Sequence, residues 1–498
     1  MDVAEGRQWI TPPSDHRTPS QIVAWLVSLT TLSSVALDVS EHGWDVAAVE
    51  QFVSSPAVHR LEALNLAGNS ARDASARAIA AAPWESLAGL DLSSNDVGPV
   101  GAAALADAPS LATLSSLNMS RNPLTDVGAL ELLTSRHLDN LRALSLGATS
   151  VTASAITHLA SRPSTARLRA LDLSNNGRNA RIGQAIDALA LSPHLSNLCK
   201  LTLAHNGLND DHVHTLMALP RMRRLANLDL RGNDISHALD NLLATLHSAS
   251  LRHLFLGDVL YPYRELPYEQ LASSPHLALL ETLVLEDARL GIDGARAFVQ
   301  SLRLPALTSL SLVAADLRDE GTAILMGCAG MARVTRLDLS ENGIGPAGIQ
   351  ALTASPYAQQ LRALNLNDNM IGAEGLRALA HSPHVRALRE LRLRANDLDP
   401  TAIEEFAAAS GLLGVCTLQL DTNKIGDAGV TALVASPHLT DVRRLSLMQN
   451  GIGDAGAMSI IESPYLSNVQ TLVLLQNPFS QTAIKLLRQR FKSIKLLV

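Results

Sequence analysis

The segment HNGLNDDHVHTL places three histidines and two aspartates within ten residues, a composition that suits a divalent metal ion. These residues are His205, Asp210, Asp211, His212 and His214. Aligned on the related segment TNKIGDAGVTAL, His205 falls near the inner face of a repeat, whereas His212 and His214 start the following helix on different sides. Metal ligands must converge on one point, so we expect a solvated polar turn and no metal site.

Other residues with reactive side chains follow the periodicity of the chain or stand alone. His194, His276, His384 and His438 occupy one repeated position after Ser-Pro, which indicates a role at helix ends. Cys199, Cys328 and Cys416 are too far apart for a ligand pair or a disulfide framework. We therefore predict half-buried free thiols in a reducing compartment.

Motifs for catalysis are absent from the sequence. There is no Gly-x-x-x-x-Gly-Lys phosphate loop, Gly-x-Ser-x-Gly elbow, His-Glu-x-x-His or Cys-x-x-Cys. We therefore expect a protein that is not an enzyme and that has no cofactor and no metal.

Composition points to thin, uniform apolar layers. The 498 residues are 47% hydrophobic and only 3% aromatic, so leucine, alanine, valine and isoleucine supply the core. The net charge of −7 provides no basic field for nucleic acid or an anionic membrane. Neither class of partner is expected, and no signal peptide or membrane anchor is recognised at the N-terminus.

One pattern, Leu-x-x-Leu-x-Leu-x-x-Asn, recurs along most of the chain. Its central leucine pair runs from Leu64 and Leu66 to Leu472 and Leu474, in about seventeen units of roughly 27 residues. Each unit predicts a short strand, a turn and a helix that bury their leucines only against neighbouring units. Strands stack at about 4.8 Å and helices at about 10 Å, so the array should curve with its strands inside.

An asparagine follows most of the predicted strands, where its amide can satisfy backbone groups that leave the sheet. Thr149 replaces it once, and Val259, Ala288 and Ala315 replace it in three consecutive units. We call the asparagines the asparagine ladder; they are Asn69, Asn95, Asn122, Asn176, Asn206, Asn233, Asn342, Asn369, Asn396, Asn423, Asn450 and Asn477.

These repeats resemble the ribonuclease-inhibitor-like class of leucine-rich-repeat proteins from about residue 35 to 498. Segments such as IGDAGVTALVASPHL and IGPAGIQALTASPYA are also similar to bacterial arrays, including the GALA-type effectors. The resemblance implies an α/β leucine-rich-repeat solenoid, a horseshoe with parallel strands on the concave face and helices on the convex face. It further implies recognition of another protein.

The ends of the chain depart from the repeat. We predict a flexible tail over 1–19, a capping helix over 20–36 that starts at Ser20 and carries Trp25, and a repeat array over 37–479. Residues 480–498 are predicted to form a C-terminal cap, an amphipathic helix followed by a last strand.

Candidate contact residues lie between the paired leucines, on the face opposite the core. Their types change from acidic to apolar to basic along the chain, and the candidates are Asp172, Asp229, Asp338 and Arg392, with Arg394 following Arg392 on the same row. The alternative is that the aspartates merely solvate the face.

An aromatic cluster interrupts the pattern at FLGDVLYPYRELPYEQL, with Phe255, Tyr261, Tyr263 and Tyr268. Aromatic residues on an irregular loop are typical of interface anchors. They equally suit packing in a damaged repeat or at a bend between two half-arrays, and both interpretations stay open.

The sequence thus favours a monomeric, cytoplasmic scaffold that binds a protein through its concave face and the central aromatic loop. The alternative is a bacterial effector or adaptor, secreted into a host cell, that acts on a signalling or ubiquitin pathway. A GTPase-activating protein is a third candidate, but that family has an acidic tail and this chain ends in a basic segment.

Overall fold

The structure is a computed structural model, and it describes residues 9–12, 18–29, 35–177, 182–217, 224–235, 250–257, 268–409 and 413–498. The described residues form two compact units, one ending at Phe255 and the other beginning at Leu256. Val259, Tyr261 and Tyr263 lie outside the described residues.

In the first unit, consecutive strands pair in parallel in the order of the chain. The strands are β1 (Trp9–Ile10), β2 (Val35–Asp38), β3 (Leu61–Asn65), β4 (Gly89–Asp91), β5 (Ser116–Asn118), β6 (Ala143–Ser145), β7 (Ala170–Asp172), β8 (Lys200–Thr202), β9 (Asn227–Asp229) and β10 (His253–Gly257), of which the residues up to Phe255 belong to this unit. The helices are α1 (Pro19–Ser28), α2 (Val46–Val53), α3 (Arg72–Ala81), α4 (Pro99–Ala106), α5 (Thr125–Thr134), α6 (Ala153–Ser161), α7 (Ile186–Leu191) and α8 (Asp210–Met217).

The second unit repeats this arrangement, again with consecutive parallel pairs. Its strands are β11 (Thr282–Glu286), β12 (Ser309–Ser311), β13 (Arg336–Asp338), β14 (Ala363–Asn365), β15 (Glu390–Arg392), β16 (Thr417–Gln419), β17 (Arg444–Ser446), β18 (Thr471–Val473) and β19 (Lys495–Leu497). Its helices are α9 (Tyr268–Ser273), α10 (Gly291–Ser301), α11 (Arg318–Met326), α12 (Pro346–Ala354), α13 (Gly372–His381), α14 (Pro400–Ala408), α15 (Gly426–Val434), α16 (Asp454–Glu462) and α17 (Gln481–Arg490).

Register places equivalent residues of successive repeats side by side. Leu337 lies opposite Leu310 on one neighbour and Leu364 on the other, and all three are at most 2% exposed. The helix leucines, such as Leu376, are buried in the same core. Alternation then directs the residue between the paired leucines to the other side of the strand, which we call the open face. The predicted leucine-rich-repeat fold, with parallel strands on one side and helices on the other, is confirmed.

The N-terminal segment differs from the expectation in two respects. Trp9 and Ile10, within the predicted flexible tail, pair with Ala36 and Leu37, and Trp9 packs on the buried Ala36. A strand edge with an apolar contact is enough to order these two residues. The first helix is capped by Thr18 and not by Ser20, because Thr18 and Gln21 form a reciprocal capping box.

The repeated Ser-Pro dipeptide marks the connection from each helix to the next strand. Ser382 Oγ donates to the carbonyl of Thr353 in the preceding repeat at 2.7 Å and accepts the N–H of His384 at 3.1 Å. Ser436 makes the same pair of bonds with Ala407 and His438. The serine therefore satisfies the exposed helix carbonyl, and the histidine contributes its backbone N–H to the serine.

Candidate partner-binding face

The asparagine ladder holds the chain at the end of each strand. Asn423 Nδ2 donates to the carbonyls of Leu393 and Leu420, each at 2.9 Å. Its Oδ1 accepts the N–H groups of Asn396 and Leu398 at 2.9 and 3.1 Å. One side chain thus satisfies four backbone groups in two repeats, as its donor and acceptor predict.

Aspartates and asparagines of the open face have a second structural task. In every described repeat where one stands between the paired leucines, its Oδ1 accepts the backbone N–H two residues further on, as Asp91 does from Ser93 at 2.8 Å and Asp338 from Ser340 at 3.0 Å. The others are Asp38, Asn65, Asn118, Asp172, Asp229 and Asn365. This N–H would otherwise be unpaired where the chain leaves the strand.

The second carboxylate oxygens of the three candidate aspartates are also engaged. Asp172 Oδ2 accepts from Ser145 Oγ at 2.8 Å, and Asp338 Oδ2 accepts from Asn365 Nδ2 at 2.8 Å. Asp229, only 7% exposed, forms an ion pair with Arg231 at 2.8 Å. These carboxylates therefore stabilise the face itself.

Arg392 breaks the rule, since a guanidinium cannot accept an N–H. Here Asn367 Oδ1, from the preceding repeat, accepts the backbone N–H of Arg394 at 2.8 Å. Asp421 does the same at Ser446, accepting the N–H of Met448 at 2.8 Å. In both places the acceptor comes from the neighbouring strand, Asn367 in one and Asp421 in the other. The side chains of Arg392 and Arg394 are therefore not needed to pair this backbone N–H.

Exposed arginine side chains lie on the open face of the second unit. Arg336, Arg392, Arg394 and Arg444 have exposed side chains, and we call these four residues the arginine face. Arg392 pairs with Glu390 at 2.5 Å. Within the described part of the chain, no hydrogen bond or ion pair engages the guanidinium of Arg336, Arg394 or Arg444.

A shallow depression of about 210 Å³ lies on this face. It spans strands β12 to β15, and its polar lining includes Ser311, Arg336, Asp338, Asn365 and Arg392. The surface is thus open and presents charged and hydrogen-bonding side chains. Hydrogen bonds from neighbouring repeats hold its backbone in place. Such a surface suits contact with an extended partner.

Two residues of the aromatic cluster lie in the described ranges: Tyr268 is buried and Phe255 is half-buried. Tyr268 is only 4% exposed; its hydroxyl donates to the carbonyl of Ala288, and a Cβ at Gly294 would lie 2.9 Å from its ring. Ala288 stands where the asparagine ladder is interrupted, so Tyr268 supplies a hydrogen bond in the damaged repeat and is a packing residue. Phe255 is half-buried in the first unit, with the Arg231 guanidinium 5.4 Å from its ring centroid.

The side chains of the segment from His205 to His214 do not converge on one point. His212 forms a capping box with Asn209: its Nδ1 accepts the N–H of Asn209 at 3.1 Å, and its own N–H donates to Asn209 Oδ1 at 3.2 Å. His205 lies against Gly232, and His214 is exposed. Over the residues that the structure describes, no group of three or more histidines, cysteines or acidic residues is placed to hold a metal ion.

The cysteines are free and half-buried. Their thiols donate to backbone carbonyls, as Cys199 Sγ does to Asn197 at 3.3 Å. Cys328 precedes the short 3-10 helix Ala329–Arg333. No helix in the described ranges is long and apolar enough to cross a bilayer.

Comparison with known proteins supports the repeat assignment. The family model described as "Leucine Rich repeat" matches residues 87–106, 110–133, 334–352, 358–380 and 438–460. Each matched segment contains one strand and most or all of the following helix, from β4 and α4 to β17 and α16. A comparison with curated proteins finds no match.

Solved structures similar to this chain share little sequence with it. An internalin from Listeria monocytogenes is 16% identical with a TM-score of 0.29, over 98% of this chain and 95% of that one. A leucine-rich-repeat protein from Leptospira interrogans is 20% identical with a TM-score of 0.34, over 92% and 94% of the two chains. A TLR13–ssRNA13 complex is 19% identical with a TM-score of 0.47, over 88% and 62%. At these values nothing about function follows from the likeness.

The family match thus agrees with the repeating strand, turn and helix and with the asparagine ladder that joins them. By these features the chain has the leucine-rich-repeat fold.

Proposed function

We propose that the protein is a binding scaffold that recognises a partner protein through the arginine face of its second unit. Leucine-rich repeats typically mediate contacts between proteins, and the matched family model is a repeat and not a catalytic family. The observation that carries the proposal is the replacement of the structural aspartate or asparagine at Arg392, with Asn367 taking over its hydrogen bond.

Because of that replacement, the side chain at position 392 is not needed to fix the strand end and can contact a partner. At Asp338 the side chain is used to fix the strand end, so its charge is already satisfied within the chain. At Arg392 and Arg394 the backbone is fixed by a neighbour, and the two side chains project from the face. Exposed arginines with fixed backbones are effective contacts, because the planar guanidinium loses little freedom per hydrogen bond formed.

The other candidates play different parts in this proposal. Asp338 fixes the backbone of the arginine face, and Asp172 and Asp229 do the same for the first unit. Phe255 is a secondary contact, and Tyr268 supports the fold. Tyr261 and Tyr263, which lie outside the described residues, remain sequence predictions.

Site-directed photocrosslinking in native lysate tests the proposal. A photoreactive amino acid at Thr417, on strand β16 of the open face, is compared with the same residue at Gln350, exposed on helix α12. We expect a discrete crosslinked protein from position 417 and none from 350. Equal crosslinking from both positions, or crosslinking from 350 alone, contradicts the assignment of the face.

The effector hypothesis differs only in where the partner is found. It rests on the likeness of the repeats to bacterial arrays, and the same crosslinking pair in lysate of a candidate host cell tests it. A product from position 417 that forms in host lysate and not in lysate of the source cell supports the effector role; the reverse result contradicts it.

A further inference from the structure

Charge is distributed unevenly over the open face between strands β13 and β17. The carboxylates there are committed within the chain: Asp338 to Ser340 and Asn365, Asp421 to Ser446 and the N–H of Met448, and Glu390 to Arg392. Arg336, Arg394 and Arg444 have no such engagement among the described residues. The groups left to meet a ligand are therefore cations, which match carboxylates in bidentate geometry.

These cations stand on every second strand, in two register rows. Arg336 stands on β13, Arg392 and Arg394 on or just after β15, and Arg444 on β17. Arg336 and Arg444 share one register row with Glu390, whereas Arg392 stands two residues further along its strand, in the row of Asp338. The ion pair with Glu390 brings the Arg392 guanidinium to the carboxylate of the first row. The strands between carry neutral residues in both rows, Ala363 and Asn365 on β14 and Thr417 and Gln419 on β16. Parallel neighbours lie about 4.8 Å apart, so the cationic strands repeat at about 9.6 Å along the stack.

This interval matches one conformation of a peptide chain. A polyproline II helix has three residues per turn and rises about 3.1 Å per residue, so side chains three apart lie on one side at about 9.3 Å. In a β-strand, residues three apart point to opposite sides, and in an α-helix they are only about 4.5 Å apart. A flexible acidic chain would lose more conformational entropy on binding than a preformed helix does.

We propose that the arginine face binds an acidic segment in the polyproline II conformation, laid across the strands, with a carboxylate at every third residue. The first acidic residue meets Arg336, the second Arg392 and Arg394, and the third Arg444. Glu390 orients the Arg392 guanidinium and is not displaced. This inference rests on the proposed function, since it names the chemistry of the partner for the same face.

Two fluorescent peptides of one composition test the spacing on the full-length chain by fluorescence anisotropy. One is (Glu-Pro-Pro)4, and the other is a block peptide in which all the glutamates precede all the prolines, so that charge and proline content are unchanged. At low ionic strength we expect the first to bind about five times more tightly or better, because three carboxylates reach three cationic strands at once. Equal affinity for the two peptides, or no binding of either, overturns the proposal.

Matched triple variants test the position. Arg336→Gln/Arg392→Gln/Arg444→Gln should weaken binding of (Glu-Pro-Pro)4 about tenfold or more and remove the preference for it over the block peptide. The control Arg333→Gln/Arg386→Gln/Arg443→Gln makes the same charge change in the same three repeats, at exposed residues that precede the strands. It should change the affinity less than about twofold; equal weakening by both triples would mean non-specific attraction and refute the site.

The two proposals can fail separately. A discrete protein crosslinked at position 417, together with equal affinity for the two peptides, keeps the binding face and refutes the acidic polyproline II ligand. Thermal unfolding by circular dichroism confirms that both triple variants are folded. The variant Arg336→Lys/Arg392→Lys/Arg444→Lys should bind more weakly than wild type and more tightly than the glutamine triple, since the charges stay in place and the bidentate contacts are lost.

Discussion

Asp319 Oδ1 accepts the backbone N–H of Gly348, in the helix of the next repeat, at 2.8 Å. The same oxygen accepts the N–H of Gly345 at 2.7 Å, and Gly345, the N-cap of α12, has no side chain for this task. Asp73 and Asp427 cap the helices that follow them in the same way. Each of these carboxylates therefore joins two repeats at the start of a helix, where the helix dipole favours negative charge.

Removing this cap should destabilise the second unit. Asp319→Ala is expected to cost about 1 kcal/mol of the free energy of unfolding, the usual value of an N-cap. Asp319→Asn should keep most of it, because an amide oxygen also caps a helix. Urea titration followed by circular dichroism measures the change. The neighbouring variant Glu320→Ala, at a side chain 63% exposed, is the control, and an equal loss there would refute the capping role.

Asn423→Ala should be more damaging, since four backbone groups lose their partner. We expect a loss of about 2–4 kcal/mol in the same titration. Asn423→Thr should lose less: at the natural substitution, Thr149 Oγ1 donates to the carbonyl of Leu146 at 2.6 Å and so retains one bond. Identical losses for the two variants would show that the threonine hydroxyl contributes nothing.

Tyr268→Phe separates packing from recognition at the aromatic cluster. The variant removes the hydroxyl that donates to Ala288 and leaves a buried carbonyl without that bond, which should cost about 1–2 kcal/mol. Crosslinking from position 417 should be unchanged. Loss of the crosslinked product from a variant of unchanged stability would instead make Tyr268 part of the binding surface.

Asn367→Ala tests how the arginines are positioned. The variant leaves the N–H of Arg394 without its acceptor and changes no charge. We expect weaker binding of (Glu-Pro-Pro)4, about threefold, because the backbone that carries both arginines is no longer fixed. The control is Gln350→Ala, which removes an exposed amide side chain from helix α12 and should have no effect. Equal affinity of the two variants would show that Asn367 does not position the face.

Acid should lower the stability of the second unit, because it protonates the Asp399 carboxylate. Hydrogen bonds from the N–H of Ala402 and then from the Thr401 hydroxyl lower the pKa of this carboxyl below its usual value. A lowered pKa in the folded state contributes stability above the unfolded pKa, and that stability is lost as the pH falls through the folded pKa. The hydrogen bond from Ser480 lowers the pKa of Asp454 in the same sense.

The measurement is the thermal midpoint across the acidic range, from above the usual pKa of an aspartate to below the lowered pKa of Asp399. Over this range the thermal midpoint of wild type should fall further than that of Asp399→Asn, because the asparagine cap does not titrate. Parallel curves for the two proteins would exclude Asp399 as a source of the acid sensitivity.

The repeat by itself determined the fold. Leucines at a spacing of two, an asparagine three residues after the second leucine and a helix in each unit leave stacking as the way to bury the apolar residues. The asparagine ladder was predicted for the same reason, since an amide with one donor group and one acceptor group suits the end of a strand. These features are local and recur, so the sequence displays them many times.

Only the tertiary structure decided which polar residues are committed to the fold. Asp338 and Arg392 occupy equivalent positions, yet Asp338 fixes its own strand end and Arg392 does not. The difference depends on Asn367, which lies 27 residues before Arg394 and becomes its neighbour only when the repeats stack. The same holds for Asp319 and Gly348. Hydrogen bonds between repeats depend on register and distance in the folded chain, and a linear pattern of residue types does not contain either quantity.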